Sequence, residues 1–256
     1  MKTAHLKFIV FAVGVLALPF ALMSQHRTDL TDLGKLAMIL SPSLLGLVLN
    51  WGLGDRGRRP VWRAVGAAAI MSLVVTGLAV AVAFGVGAAS FARTGAQAQG
   101  LAAAMGVGAL TSILEELGWA GGGLALAVKA FGRRTGVLVL GLIWAAWHLV
   151  PTFLKVGLFP SLEAASPTML AAFVIACLIY RELLTRWREQ AQTWLAAAVG
   201  HAAPNILLAA LITAGLGGFD QPGHWRFFPA PGGLVFPVLA LAALWIVGRR
   251  SGPSLR

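Results

Sequence analysis

Residues 111–119 read TSILEELGW and place two adjacent acids, Glu115 and Glu116, inside an otherwise apolar run. The 256-residue chain has only nine aspartates and glutamates, so a pair at this position needs a specific explanation. A carboxylate near the centre of a bilayer costs about 2.5–3.5 kcal/mol on insertion scales, so it normally faces the protein interior or a wet cavity. The interpretation of the pair therefore depends on whether this run crosses a membrane.

The composition is that of a membrane protein, with 58% hydrophobic and 11% charged residues. The excess of 20 Lys and Arg over nine acids resembles a nucleic-acid-binding pattern, but the basic residues cluster at the ends of apolar segments. The expected partner is therefore the lipid bilayer and not nucleic acid. The single cysteine, Cys177, cannot form an intrachain disulfide.

Eight apolar windows are long enough to cross a hydrocarbon core about 30 Å thick. They cover residues 8–24, 36–53, 64–90, 97–128, 135–154, 168–184, 191–216 and 232–248. The fourth is long and rich in glycine, and spacings such as Gly118 to Gly122 predict close helix packing or a kink. The sequence thus predicts an all-α, polytopic membrane helix bundle of about eight transmembrane helices, forming a single membrane domain over residues 1–256.

The basic residues predict the orientation, because they are retained at cytoplasmic ends. With the N-terminus cytoplasmic, 15 basic residues fall on the cytoplasmic side and five on the other. The cytoplasmic set is Lys2, Lys7, Arg56, Arg58, Arg59, Arg63, Lys129, Arg133, Arg134, Arg181, Arg186, Arg188, Arg249, Arg250 and Arg256, and the other is Arg27, Lys35, Arg93, Lys155 and Arg226. Both termini are expected to be cytoplasmic, and a bacterial cytoplasmic membrane is the expected location.

Polar residues on three windows reach a similar depth. At 1.5 Å per residue, Glu115 lies about 21 Å, His148 about 20 Å, His201 about 15 Å and Asn205 about 21 Å above the cytoplasmic boundary. His201 and Asn205 are four residues apart and share a helix face. Glu115 and Glu116 lie about 100° apart, so one can face a cavity while the other ties to a neighbouring helix. The spacing predicts one shared site.

Three interpretations of this set remain open from the residues alone: a structural polar network, a proton or ion pathway, and a hydrolytic site. Function is the default for buried ionisable groups, and the set as a whole favours hydrolysis. A transporter is less favoured because no motif repeats between the two halves, whereas many secondary transporters show internal symmetry.

The connection at residues 217–233, GGFDQPGHWRFFPAPGG, gathers four aromatic residues among glycines and prolines. Anchoring at the membrane interface is the favoured interpretation, and a substrate lid is the alternative.

Three blocks resemble the CPBP family of intramembrane proteases, which includes type II CAAX prenyl proteases, Abi proteins and bacteriocin-processing enzymes. Residues 115–119 (EELGW) resemble its Glu-Glu-x-x-x-Arg motif, residues 144–151 (WAAWHLVP) its aromatic-x-x-x-His motif, and residues 201–205 (HAAPN) its His-x-x-x-Asn motif. The resemblance covers about residues 95–215 and implies an eight-helix bundle holding these motifs inside. It implies hydrolysis of a peptide bond in a membrane-embedded or lipidated protein or peptide.

By this resemblance, Glu115 would activate a water that His148 helps to hold, His201 and Asn205 would stabilise the oxyanion, and Glu116 would orient its neighbours. These five residues are the candidate catalytic set. A zinc ion held by His148, His201 and Glu115 is the alternative. No cofactor is the preferred expectation, because the amide of Asn205 is a poor zinc ligand but a good oxyanion donor.

One position departs from the first motif, which has arginine where this chain has Ala120. The cation that would pair with a carboxylate is therefore expected to be missing, since no other arginine lies on that helix near the site. An inactive or repurposed binding or immunity member of the family is accordingly kept as an alternative.

Overall fold

The structure is a computed structural model that describes residues 2–25, 27–50, 60–92, 98–158, 160–163, 165–219 and 223–250. Several basic residues of the orientation argument lie outside the described residues, namely Arg56, Arg58, Arg59, Arg93 and Arg256. The cytoplasmic location of both termini stays a prediction.

The described chain is almost entirely helical. Its α-helices are α1 (Lys2–Met23), α2 (Thr28–Leu49), α3 (Trp62–Gly85), α4 (Ala98–Glu116), α5 (Leu124–Phe131), α6 (Arg133–Leu154), α7 (Pro160–Glu163), α8 (Pro167–Ala191), α9 (Leu195–Thr213) and α10 (Val235–Arg250). A π-helical segment (Leu117–Gly123) joins α4 to α5, and a 3₁₀ turn (His224–Phe227) precedes α10. The short strands β1 (Ser90–Phe91) and β2 (Leu216–Gly217) pair antiparallel.

Seven helical spans in the described part of the chain are long and apolar enough to cross a membrane, with α4, the π segment and α5 counting as one. The eighth predicted segment is α10, which is apolar but shorter, at 16 residues. The predicted all-α polytopic bundle is confirmed. The irregularity that the sequence predicts in the fourth apolar window is observed as the π-helical segment, which begins directly after Glu116.

Glycines let α2 approach the backbone of the π segment. A Cβ atom on Gly118 would lie 2.1 Å from the carbonyl carbon of Pro42, and one on Gly122 would lie 2.3 Å from the Cα of Gly46. Any side chain at these positions would overlap the α2 backbone. The interpretation of these glycines as helix-packing residues is confirmed, and small residues at such contacts are what membrane helices use to pack closely.

Ser43 of α2 and Asn50, which directly follows α2, also satisfy one backbone carbonyl before the π segment and one within it. The hydroxyl of Ser43 donates to the carbonyl of Leu114, and Nδ2 of Asn50 donates to the carbonyl of Gly121 at 3.1 Å. An unsatisfied carbonyl in lipid costs several kcal/mol, so these bonds stabilise the π turns. Through them α2 fixes the helix that carries the two glutamates.

Candidate active site

One cavity of about 320 Å³ brings the predicted residues together. Its wall includes Glu115 from α4, His148 from α6, and His201 and Asn205 from α9. The rest of the wall is mainly apolar and includes Met38, Leu158, Phe173, Cys177, Leu208 and Phe236. The expected convergence of three helices on one site is therefore observed, although their catalytic roles remain predictions.

Glu115 is the acid that faces the cavity. Its side chain is buried, and its Oε2 accepts a hydrogen bond of 3.2 Å from Nε1 of Trp144 on α6. Trp144 lies one helical turn before His148 and packs edge-on against that ring at 5.2 Å between centroids. A single tryptophan thus orients the candidate base and contacts the neighbouring histidine.

Glu116 does not line the cavity and instead ties three helices together. Its carboxylate accepts hydrogen bonds from Nη1 and Nη2 of Arg181 at 2.7 and 2.9 Å, and its Oε1 lies 3.0 Å from Nδ1 of His201. All three side chains are buried. The two adjacent acids therefore divide their contacts as the 100° helical offset predicts, one facing the cavity and one facing neighbouring helices.

The contacts of the two histidines indicate which ring nitrogen carries the proton. Nδ1 of His148 lies 2.9 Å from the carbonyl oxygen of Trp144, and a carbonyl only accepts, so Nδ1 must donate. Nδ1 of His201 likewise faces the carboxylate of Glu116, which is held as an acceptor by Arg181. In the neutral form of each ring, Nε2 is then the nitrogen that can accept a proton or a hydrogen bond.

The side chain of Asn205 is oriented by a residue that the sequence analysis did not identify. Nδ2 of Asn205 donates to the hydroxyl of Ser112 at 2.8 Å, and that hydroxyl donates to the carbonyl of Gly108 at 2.7 Å. An amide nitrogen carries two hydrogens, so the second remains available as a donor. Ser112 is three residues before Glu115, which places it on the same side of α4 and is the signal that could have found it.

The expectation that the site lacks a cation is wrong, because Arg181 supplies one from α8. The pattern of basic residues places Arg181 at a cytoplasmic helix end. In the structure α8 continues to Ala191, so Arg181 lies ten residues, about 15 Å, before the end of the helix. Its side chain is 1% exposed. Arg186 and Arg188 follow closely in the sequence, so no sequence signal separated Arg181 from the basic end of the helix.

The connection between α9 and α10 contributes to the cavity wall through Phe228, Ala230 and Pro231. Phe228 also packs edge-on against Phe219, with 5.3 Å between ring centroids. At least part of this aromatic connection therefore lines the cavity, and both interpretations of the connection stay predictions.

Across the described ranges, no group of three histidine, cysteine, aspartate or glutamate side chains lies close enough to hold a metal ion. Within the described residues, Glu115 accepts a hydrogen bond from Trp144, and Glu116 lies at hydrogen-bonding distance from His201.

The fold and the site together define an integral membrane protein with a mainly apolar cavity in which Glu115, His148, His201 and Asn205 meet. Residues 97–207 match the family model described as type II CAAX prenyl endopeptidase Rce1-like. The match contains all five candidate residues as well as Arg181, and it agrees with the resemblance to the CPBP family seen in the sequence. No curated protein matched the chain. This similarity supports the CAAX protease class of endopeptidases.

Proposed function

We propose that the protein is an intramembrane endopeptidase that hydrolyses a peptide bond in a membrane-embedded or lipidated protein or peptide. The observation that carries this proposal is the cavity in which Glu115, His148, His201 and Asn205 meet. The Rce1-like match over residues 97–207 supports the same class. A bacterial cytoplasmic membrane is the proposed location.

In the proposed reaction Glu115 acts as general base. Its carboxylate takes one proton from a water molecule, while Nε2 of His148 accepts a hydrogen bond from the other hydrogen of that water. The water oxygen attacks the carbonyl carbon of the scissile bond and forms a tetrahedral intermediate. The protonated Glu115 then donates its proton to the departing amine nitrogen, and the carbon–nitrogen bond breaks.

Asn205 and His201 are the proposed donors to the oxyanion. The amide of Asn205 is held by Ser112, so its second N–H can point at the developing charge without reorganisation. His201 can donate to the oxyanion only when Nε2 carries a proton, and the carboxylate of Glu116, 3.0 Å from Nδ1, holds the ring in place. Glu116 therefore acts by positioning and charge and not by touching the substrate.

The lining of the cavity limits what can be cut. The mainly apolar wall of the cavity favours apolar groups next to the scissile bond. We therefore expect the cleaved peptides to carry apolar residues on at least one side of the cut.

The proposal is tested by incubating the purified protein in detergent with a library of lipidated and transmembrane peptides and analysing the products by mass spectrometry. We expect the wild type to cleave a subset of peptides that Glu115→Ala leaves intact. Equal inertness of both proteins towards the whole library would show that catalysis at Glu115 has been inferred wrongly.

Trp144→Phe should reduce kcat about tenfold with little change in KM. The phenyl ring preserves packing against His148 and His201, but the hydrogen bond from Nε1 to Glu115 is lost, so the base is less well oriented. Steady-state kinetics on a cleaved peptide measure this. Trp119→Phe is the matched control, because Trp119 is fully buried and its Nε1 has no hydrogen-bond partner within the described part of the chain. A Trp144→Phe enzyme as active as this control would contradict the orienting role.

Chelation should leave the activity unchanged, since the proposed steps use side chains and water alone. Incubation with 1,10-phenanthroline, followed by removal of the chelator and a peptide cleavage assay, measures this. Loss of activity that is restored by adding zinc would contradict the metal-free mechanism and would favour a zinc site at Glu115, His148 and His201.

An inactive binding or immunity role was kept open because Ala120 replaces the motif arginine. The ion pair between Arg181 and Glu116 provides a cation at that carboxylate from another helix, so this reason for doubting catalysis no longer applies. No contact among the described residues specifically favours a transporter.

A further inference from the structure

Arg181 holds the carboxylate of Glu116 in one orientation. Its two terminal nitrogens pair with different oxygens of that carboxylate, Nη1 with Oε2 at 2.7 Å and Nη2 with Oε1 at 2.9 Å. A bidentate pair of hydrogen bonds of this kind fixes the plane of the carboxylate as well as its distance from the guanidinium. Both side chains are essentially inaccessible to solvent, at 1% and 0% exposure. The carboxylate therefore cannot rotate while Arg181 is in place.

The fixed carboxylate of Glu116 in turn orients the imidazole ring of His201. The Oε1 atom that accepts from Arg181 is also the one that lies 3.0 Å from Nδ1 of His201. With Nδ1 held, the imidazole ring is fixed and Nε2 is the nitrogen left for chemistry in the cavity that His201 lines. The chain of contacts runs from α8 through α4 to α9.

A second contact connects Arg181 to the other acid. The Cζ atom of its guanidinium lies 4.2 Å from the ring centroid of Trp144, and Nε1 of that ring donates to Glu115. Arg181 itself is absent from the cavity wall. It therefore touches the two side chains that orient Glu115 and His201 without reaching the place where a substrate would lie.

We propose that Arg181 is a positioning residue of the site, supplying from α8 the guanidinium that the family motif has at the position of Ala120. This inference rests on the proposed function, since it names a residue that acts through Glu116 and Trp144. Only a planar guanidinium can make the paired bonds and stack on the indole at once, so lysine cannot substitute for it.

Arg181→Lys is the first test. It keeps the positive charge but removes the two parallel hydrogen bonds of the guanidinium. We expect kcat to fall about 10- to 100-fold, because the catalytic groups are misplaced, with KM within about twofold of wild type. Arg186→Lys is the matched control, because Arg186 lies on the same helix and pairs with Glu182 at 2.8 Å at a partly exposed position. Equal kcat for Arg181→Lys and the control would overturn the proposal.

A double variant separates positioning from simple structural support. Glu116→Met with Arg181→Met removes both buried charges together, and apolar replacements of a buried ion pair commonly leave a protein folded. We expect a folded protein whose kcat is reduced at least as much as in Arg181→Lys. A folded double variant with wild-type kcat would mean that the ion pair only holds helices together, and the proposal would be wrong.

Histidine NMR tests whether Arg181 positions His201, even if no peptide is cleaved. The Nδ1–H resonance of His201, assigned by its loss in His201→Gln, should move in Arg181→Lys and stay unchanged in Arg186→Lys. If the wild type cleaves nothing, the proposed function fails while this shift still supports the positioning of His201 by Arg181. An unmoved resonance in Arg181→Lys overturns the positioning inference whatever the activity.

Discussion

Glu115→Gln should reduce kcat/KM by about 10²–10⁴-fold, the range that removal of a general base produces. The amide is close in shape to the carboxylate, and its oxygen can still accept the hydrogen bond from Trp144, so the cavity keeps its form. The amide cannot take a proton from water. Cleavage rates measured with the best peptide from the library, together with the Tm of each protein in detergent, test this expectation.

Asp32→Asn is the control for this substitution. Asp32 lies on α2, its side chain is 67% exposed, and its partner is Lys35 on the same helix. We expect wild-type activity from Asp32→Asn, because loss of an exposed ion pair costs little. A Glu115→Gln protein that is folded and cleaves at the rate of this control would rule out Glu115 as the base.

Gly118→Ala should destabilise the protein by about 3 kcal/mol, the upper part of the usual range for overpacking. The added Cβ would lie 2.1–2.5 Å from three backbone atoms of Pro42 and Ser43, and backbone cannot move aside as a flexible side chain can. Separating α2 from the π segment would also break the bonds of Ser43 and Asn50 to the carbonyls of Leu114 and Gly121. Thermal unfolding in detergent should show a Tm lower by about 6–12 °C for a chain of this size.

Gly106→Ala is the matched glycine control. Gly106 lies in α4, the same helix that leads into the π segment, and a Cβ there would meet nothing within 4 Å. Alanine is the better helix former by about 1 kcal/mol, so Tm should be unchanged or higher. Equal Tm values for the two variants would contradict the close contact between α2 and Gly118.

The sequence was sufficient to predict the bundle and the meeting of these residues at one cavity because both follow from regular helical geometry. A constant rise along each helix places Glu115, His148, His201 and Asn205 at one height once the order of the apolar segments is known. The division between Glu115 and Glu116 follows in the same way from their angular offset. None of these predictions requires knowledge of which helices are neighbours.

Arg181 and the π segment could not be predicted in the same way, because both depend on packing between helices. Arg181 is near Arg186 and Arg188 in sequence, and clustered basic residues usually mark a helix end. Only the packing of α8 against α4 and α6 brings its guanidinium to Glu116 and Trp144. The π turns likewise depend on Ser43 and Asn50, which are distant in sequence.

The central claim is that one cavity between three helices hydrolyses a peptide bond with water activated by Glu115. The most direct measurement is mass spectrometry of a membrane peptide incubated with the protein in proteoliposomes made in H₂¹⁸O. We predict a product with one ¹⁸O atom in its new carboxyl terminus for the wild type and no product for Glu115→Gln. Equal cleavage by both proteins, or no cleavage of any peptide by the wild type, would contradict the claim.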